Sequence, residues 1–314
     1  MYRIGIDLGG TFVKAGLVDE NGNIIKKSKI PTGIERPYPE VVADMAQQAR
    51  DLCRDAGVDF DNVQSIGIGC PGAITGETGV VCFSANLNGW VNVPIGEDLS
   101  ALLGKRVKVS NDANVAALGE ALYGAGKKYD DIIMLTLGTG VGGGIVIGKK
   151  LYEGNESKGA ELGHMTIKLG GERCNCGRLG CMEAYCSATA LTRDAKRAMQ
   201  AHPESLMWKH CGGNIDAVDG ATPFECERLG DPAAKKVVDD YVSYLSEGIM
   251  NFCNIFRPQA IVLGGGVCAE GENLTSRIIE YCERGFYGYR GTPKVDIVIA
   301  ELKNDAGILG AASL

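Results

Sequence analysis

The chain has 314 residues, 45% hydrophobic and 23% charged, and carries a net charge of −7 at pH 7. That length exceeds what one small core organises and points to two lobes or domains. An acidic balance without a long basic run argues against a nucleic-acid surface, and no apolar run reaches the roughly 18 residues needed to cross a bilayer.

In chain order, Tyr2–Gly10 is an apolar run closed by glycines, which predicts a strand and turn. Arg3 and Asp7 interrupt it, so it does not read as a signal peptide. The twelve cysteines then read as reduced thiols of a cytoplasmic protein, most of them small buried hydrophobes. Phe12 to Ile25 continues the first strand, with a hairpin turn at Asn21-Gly22. Tyr38 to Ala56 has helical spacing at Val41, Val42, Met45, Ala49 and Leu52. Gln64–Gly72 predicts another strand and tight turn. Arg106–Leu122 reads as strand, polar turn and helix, with Asn111 or Asp112 able to cap. Asp131–Ile147 reads as strand, glycine turn, strand. His202 to Asp231 is polar and reads as a surface excursion. Asp239 to Ile255 predicts a long helix stopped by Pro258. A strand and glycine turn at Gln259–Val267, a helix over Asn273–Arg284, a strand at Lys294–Leu302 and a short helix from Asp305 complete the chain.

Three segments share one design: Ile6–Thr11 (IDLGGT), Leu135–Gly140 (LTLGTG) and Ile261–Gly266 (IVLGGG) each run a buried strand into a glycine turn. Such turns let backbone N–H groups approach an anion with no Cβ in the way. Taken alone, Gly9-Gly10 equally suits a plain structural turn. None of the three fits the G-x-x-x-x-G-K-[ST] loop. Gly138–Gly143 nearly scans as G-x-G-x-x-G, but strand residues follow where a dinucleotide site needs a helix, which argues against a dehydrogenase.

Two further groups carry chemistry. Asn111 and Asp112 sit at a strand-to-helix junction, where the helix dipole favours a carboxylate. Asp112 suits a general base for a phosphoryl acceptor as well as a simple cap. Asn111 can donate and accept at once, which suits a sugar hydroxyl. Further on, His164, Cys174, Cys176 and Cys181 offer one imidazole and three thiolates, a set suited to structural zinc. Glu161 and Glu183 flank that cluster. Each is either a solvated surface residue or a charge-assisted acceptor for vicinal hydroxyls.

Together the three turns resemble the two phosphate segments and the adenosine segment of the actin and sugar-kinase superfamily, in which ATP lies between two lobes. The resemblance implies Asp7 near Mg2+ and Gly9, Gly10, Thr11, Thr139 and Gly140 at the phosphates. It implies Gly264, Gly265 and Gly266 at the adenosine. Lys14 suits either the phosphate side or a solvated strand. The pattern E-L-G-H followed by C-x-C-G-x-x-G-C-x-E is more specific. With GIDLGGTFVKAGLVD, GIGCPG, NDANVAALGEA, LGTGVGGGIV, VLGGGV and NDAGILGAA it resembles the ROK family of repressors and sugar kinases, and most of all its bacterial glucokinases.

That resemblance implies an α/β, two-lobed, actin-like ATPase (ribonuclease H-like) sugar kinase fold. Its N-terminal lobe would be 1–121, completed by 302–314, and its C-terminal lobe 122–301, bearing the zinc loop. It implies Asp112 as catalytic base, and Asn86, Asn111, Glu161, His164 and Glu183 as sugar ligands. The zinc ligands would be His164, Cys174, Cys176 and Cys181. The expected activity is ATP-dependent phosphorylation of a hexose at the 6-hydroxyl, glucose before N-acylmannosamine, fructose or allose. The expected cofactors are ATP, Mg2+ and structural Zn2+, and the expected assembly a homodimer or higher oligomer. A first strand opening at Tyr2 favours a kinase over the family's repressors, which carry a helix-turn-helix domain. The retained Asp7 and Asp112 argue against a non-catalytic sugar-binding relative. Phe12 departs from the polar residue common after the G-G-T turn, which removes a side-chain phosphate contact there but leaves the backbone ones.

Overall fold

The computed structural model describes residues 1–84, 86–283, 285–288 and 291–314. A first sheet opens with β1 (Tyr2–Leu8), β2 (Phe12–Asp19) and β3 (Ile24–Pro31), followed by helix α1 (Tyr38–Asp55) and β4 (Val63–Cys70). A small antiparallel sheet of β5 (Ala73–Thr75), β6 (Val80–Phe83) and β7 (Val91–Val93) precedes α2 (Ile95–Leu103). Strand β8 (Val107–Asn111) then runs directly into α3 (Asp112–Tyr123). The first sheet has the order β3-β2-β1-β4-β8, with β1, β4 and β8 parallel and the hairpin strands antiparallel.

Next come β9 (Ile132–Leu137), β10 (Val141–Ile147) and β11 (Lys150–Tyr152), then α4 (Glu183–Cys186), α5 (Ala188–Ala201), α6 (Leu206–His210), α7 (Thr222–Arg228) and α8 (Pro232–Phe256). The chain ends with β12 (Ala260–Gly264), α9 (Glu272–Cys282), β13 (Asp296–Ile299) and α10 (Asp305–Ala311). The second five-stranded sheet has the order β11-β10-β9-β12-β13. The chain divides into two compact units. One holds Met1–Ile132, Gly144–Ala160 and Ala300–Leu314, and the other Ile133–Gly143 and Glu161–Ile299.

In the first unit, strand alternation sorts the faces of β1. Ile4, Ile6 and Leu8 are buried in a core with Val42, Met45 and Leu52 of α1. Gly5 points the other way, under α10, where a Cβ would stand 1.8 Å from the Ile308 carbonyl oxygen. Gly67, Gly119 and Gly310 repeat this: a Cβ there would meet a backbone oxygen of Ala311, Ala306 or Val115 at 1.8, 2.2 and 1.6 Å. The backbone of α10 therefore lies directly on β1, β4 and α3. Glu120, fully buried, accepts from Ala125 N–H at 2.9 Å, Glu301 N–H at 3.2 Å and Leu302 N–H at 2.7 Å. Three main-chain donors thus offset the cost of burying its carboxylate.

Two expectations need correcting in the second unit. The long helix begins at Pro232, not Asp239, because Asp231 caps it by accepting from Ala233 and Ala234 N–H and Pro232 fills its first position. Residues 202–231 are not a surface excursion. Met207, Val218 and Cys226 form a core with Ala195, Met199 and Ala234, and Phe224 packs edge-on to Tyr241. The short lengths of α6 and α7 hid their periodicity. The helix expected over Asn273–Arg284 runs Glu272–Cys282, and Arg284 lies outside the described residues.

The glycine contact under α10 yields a direct test. Gly310→Ala should destabilise the fold by about 1–3 kcal/mol through overpacking, measured as a lower midpoint in thermal or urea unfolding.

Candidate active site

In the first unit, the Gly9-Gly10 turn closes the β1–β2 hairpin. Gly9 N–H donates to the Phe12 carbonyl at 3.0 Å. Thr32, fully buried just after β3, holds the turn from behind: its hydroxyl donates to the Gly9 carbonyl at 2.6 Å and its N–H to that of Thr11 at 2.9 Å. Gly10 abuts the loop that carries Asn86, where a Cβ would come 3.0 Å from the Asn86 carbonyl oxygen. Asn86 itself is exposed. Asp7 and Lys14 are register partners on β1 and β2, and their side chains pair at 3.1 Å (Nζ to Oδ2). Lys14 thus neutralises the carboxylate expected near Mg2+, a pairing the sequence motif did not reveal. Phe12 is exposed, and Lys29 Nζ lies 3.6 Å from its ring centroid.

At the β8–α3 junction Asn111 is the cap. Its Oδ1 accepts from Ala113 N–H at 2.9 Å and Asn114 N–H at 3.3 Å, and its amide donates to the Gly72 carbonyl at 3.2 Å. That anchors the side chain expected to meet a sugar hydroxyl. Asp112 opens the helix, and its Oδ1 accepts from Ala113 N–H at 2.8 Å. Parallel pairing sets Cys70 opposite Asn111. Burial, and secondarily the charge of Asp112, push the Cys70 thiol well above its ordinary range, so it stays protonated.

In the second unit, the Leu137–Val141 turn is bound on three sides. Ala188 N–H, at the start of α5, donates to the Gly138 carbonyl at 2.8 Å. The Thr189 hydroxyl donates to the Thr139 carbonyl at 2.7 Å. Glu183 Oε2 accepts from Val141 N–H at 3.0 Å. A Cβ on Gly140 would lie 2.4 Å from that same oxygen, so a side chain there would displace the Glu183 carboxylate. The second Glu183 oxygen accepts from the Cys174 thiol at 3.3 Å, joining the turn to the cysteine cluster.

His164 and the three cysteines do converge: one ligand atom from each lies within 4.8 Å of all the others. Cys174 Sγ is 3.6 Å from His164 Nδ1, and Cys176 Sγ is 3.7 Å from Cys181 Sγ. A tetrahedral ion with sulfur and nitrogen at roughly 2.3 and 2.0 Å spaces its ligand atoms by about 3.5–3.8 Å. The donor set fits. With Nδ1 toward the cysteines, Nε2 is left to face away. Glu161, exposed, precedes the short 3-10 turn Leu162–His164, and His164 N–H donates to the Glu161 carbonyl at 3.1 Å.

Gly264 ends β12 buried, and Gly265 follows at φ +92°, where a Cβ would meet the Leu137 carbonyl oxygen at 2.4 Å. Gly266 lines a cavity of about 190 Å³ with Ala188, Gly220, Ala221, Phe224, Val267 and Glu270. Gly220, Ala221 and Phe224 come from the segment misread as a surface excursion. The signal that could have found them is Asp219 ahead of Thr222-Pro223, whose carboxylate accepts from both Ala221 and Thr222 N–H in the turn leading into α7.

Residues 3–314 match the ROK family. The chain belongs to the ROK family. Among its ROK relatives, a glucokinase of Thermotoga maritima is 38% identical over 99% of this chain and 96% of its own length. A glucokinase of Streptomyces coelicolor is 36% identical over the same shares. The crystal structure of a ROK family glucokinase from Streptomyces griseus, in complex with glucose and AMPPNP, matches with a TM-score of 0.80 and 35% identity, covering 100% of this chain and 98% of that one. The fold is therefore that of the ROK sugar kinases, α/β and actin-like.

Proposed function

We propose that this protein transfers the γ-phosphoryl group of MgATP to the 6-hydroxyl of glucose, giving glucose 6-phosphate and ADP. The observation that carries the reading is the end-to-end match to glucokinases, one of them solved with glucose and AMPPNP. Asp112 takes the proton of the attacking hydroxyl from the first turn of α3, where the helix dipole favours a carboxylate. Asn86, Asn111, Glu161, His164 and Glu183 hold the sugar. Because Asn111 already caps α3, its remaining amide hydrogen is the group it offers. The amides of Gly10, Thr139 and Gly140 and the Thr11 side hold the phosphates, with Lys14 beside them. Electrostatic stabilisation from preset backbone dipoles needs no rearrangement during the reaction. Asp7 would hold Mg2+, and that ion would offset charge on the phosphates, with Lys14 paired beside Asp7. The cavity beside Gly266 takes the adenosine, against Phe224, with Gly264 and Gly265 leading the chain into it.

His164, Cys174, Cys176 and Cys181 hold a structural zinc, whose part is to fix the loop that carries Glu161 and Glu183. Binding through Nδ1 would set the ring so that Nε2 meets a sugar hydroxyl. None of the twelve cysteines is paired in a disulfide, which supports a reducing, cytoplasmic setting. Among the described residues no helix is long and apolar enough to cross a membrane. We infer a homodimer or higher homo-oligomer from the family resemblance.

Asp112→Asn should lower turnover by roughly 10²–10⁴-fold while calorimetry still detects glucose binding; turnover at the wild-type rate would remove Asp112 as the base. Elemental analysis should find one zinc per chain, lost in Cys176→Ser. Protein purified without chelators that carries no zinc would contradict the metal assignment.

A further inference from the structure

Both phosphate-type turns are held from behind by a threonine that belongs to neither glycine motif. Thr32 grips the Gly9 carbonyl through its hydroxyl at 2.6 Å, and Thr189 grips the Thr139 carbonyl through its own at 2.7 Å. In a planar trans peptide the C=O and the following N–H point in opposite directions. Fixing the Gly9 carbonyl therefore fixes the Gly10 N–H away from Thr32, and fixing the Thr139 carbonyl does the same for the Gly140 N–H. Ala188 N–H, on the Gly138 carbonyl, sets the Thr139 N–H in turn. Among the described residues, the N–H groups of Gly10, Thr139 and Gly140 donate to no protein acceptor. Val141 N–H, by contrast, is taken by Glu183. Each turn thus presents amides whose direction is set from the rear, at a glycine with no side chain to cover them.

We propose that Thr32 and Thr189 are positioning residues for the nucleotide: each aims the amide of its turn, Gly10 or Gly140, at a phosphate oxygen. This rests on the kinase reading above. Their placement differs usefully. Thr32 is fully buried, whereas Thr189 is exposed on the first turn of α5, so its hydroxyl can be removed with little effect on the core.

The test compares Thr189→Val and Thr32→Val with Thr189→Ser and Thr32→Ser. Each is measured for AMPPNP and glucose affinity by calorimetry and for KM and kcat with MgATP. Losing one aimed amide should weaken AMPPNP binding and raise the KM for ATP roughly three- to tenfold, with glucose affinity held within about twofold. Serine, which keeps the hydroxyl, should restore the wild-type values. Should Thr32→Val fail to fold, the Thr189 variants decide. Valine variants that bind AMPPNP like wild type, or that lose glucose affinity in equal measure, overturn the positioning role. Wild-type protein that binds glucose but no AMPPNP overturns the kinase reading itself.

Discussion

A peptide unit cannot turn its N–H toward a ligand without turning its C=O the other way. A turn that offers free amides must therefore satisfy its carbonyls from behind, or leave polar groups unpaired. Much of the local structure at the two glycine turns answers this constraint. Thr32 follows β3 so that its side chain and its N–H both reach back to the first turn. Helix α5 starts where its first residue and the Thr189 hydroxyl meet the carbonyls of the second. At Gly10 and Gly140 the missing side chain leaves room for the Asn86 backbone and for the Glu183 carboxylate.

Glu183 carries a second dependence. One oxygen holds Val141 N–H and the other lies 3.3 Å from Cys174 Sγ, so the second turn and the cysteine and histidine cluster are direct neighbours. The cluster itself is built from short local links. Cys174 N–H donates to the Arg178 carbonyl at 2.9 Å and Gly177 N–H to the Cys174 carbonyl at 2.9 Å, which folds the loop back on itself. Gly180, at φ +82°, lies so close to Lys168 that a Cβ would stand 1.8 Å from its carbonyl oxygen. Two glycines between three cysteines thus let the thiols converge without backbone strain.

Motif-bearing elements were legible in the sequence because their chemistry is local. The three strand-glycine turns form as expected, and the four cluster residues meet. Asn111 rather than Asp112 proves to be the cap, a distinction that depends on backbone φ and ψ at one residue. What stayed hidden depended on contacts distant in sequence. Thr32 and Thr189 are ordinary threonines until the fold sets them behind a turn. The pairing of Lys14 with Asp7 follows from hairpin register. Residues 202–231 looked polar because α6 and α7 are too short to show a helical period, yet they bury Met207 and Phe224.

The central claim is that this chain transfers a phosphoryl group from MgATP to glucose. The most direct measurement is ADP release from MgATP with glucose, N-acetylmannosamine, fructose, mannose and allose as acceptors. The account predicts turnover strongest with glucose. A clear preference for another sugar, or no turnover with any of them from zinc-replete protein, would contradict it.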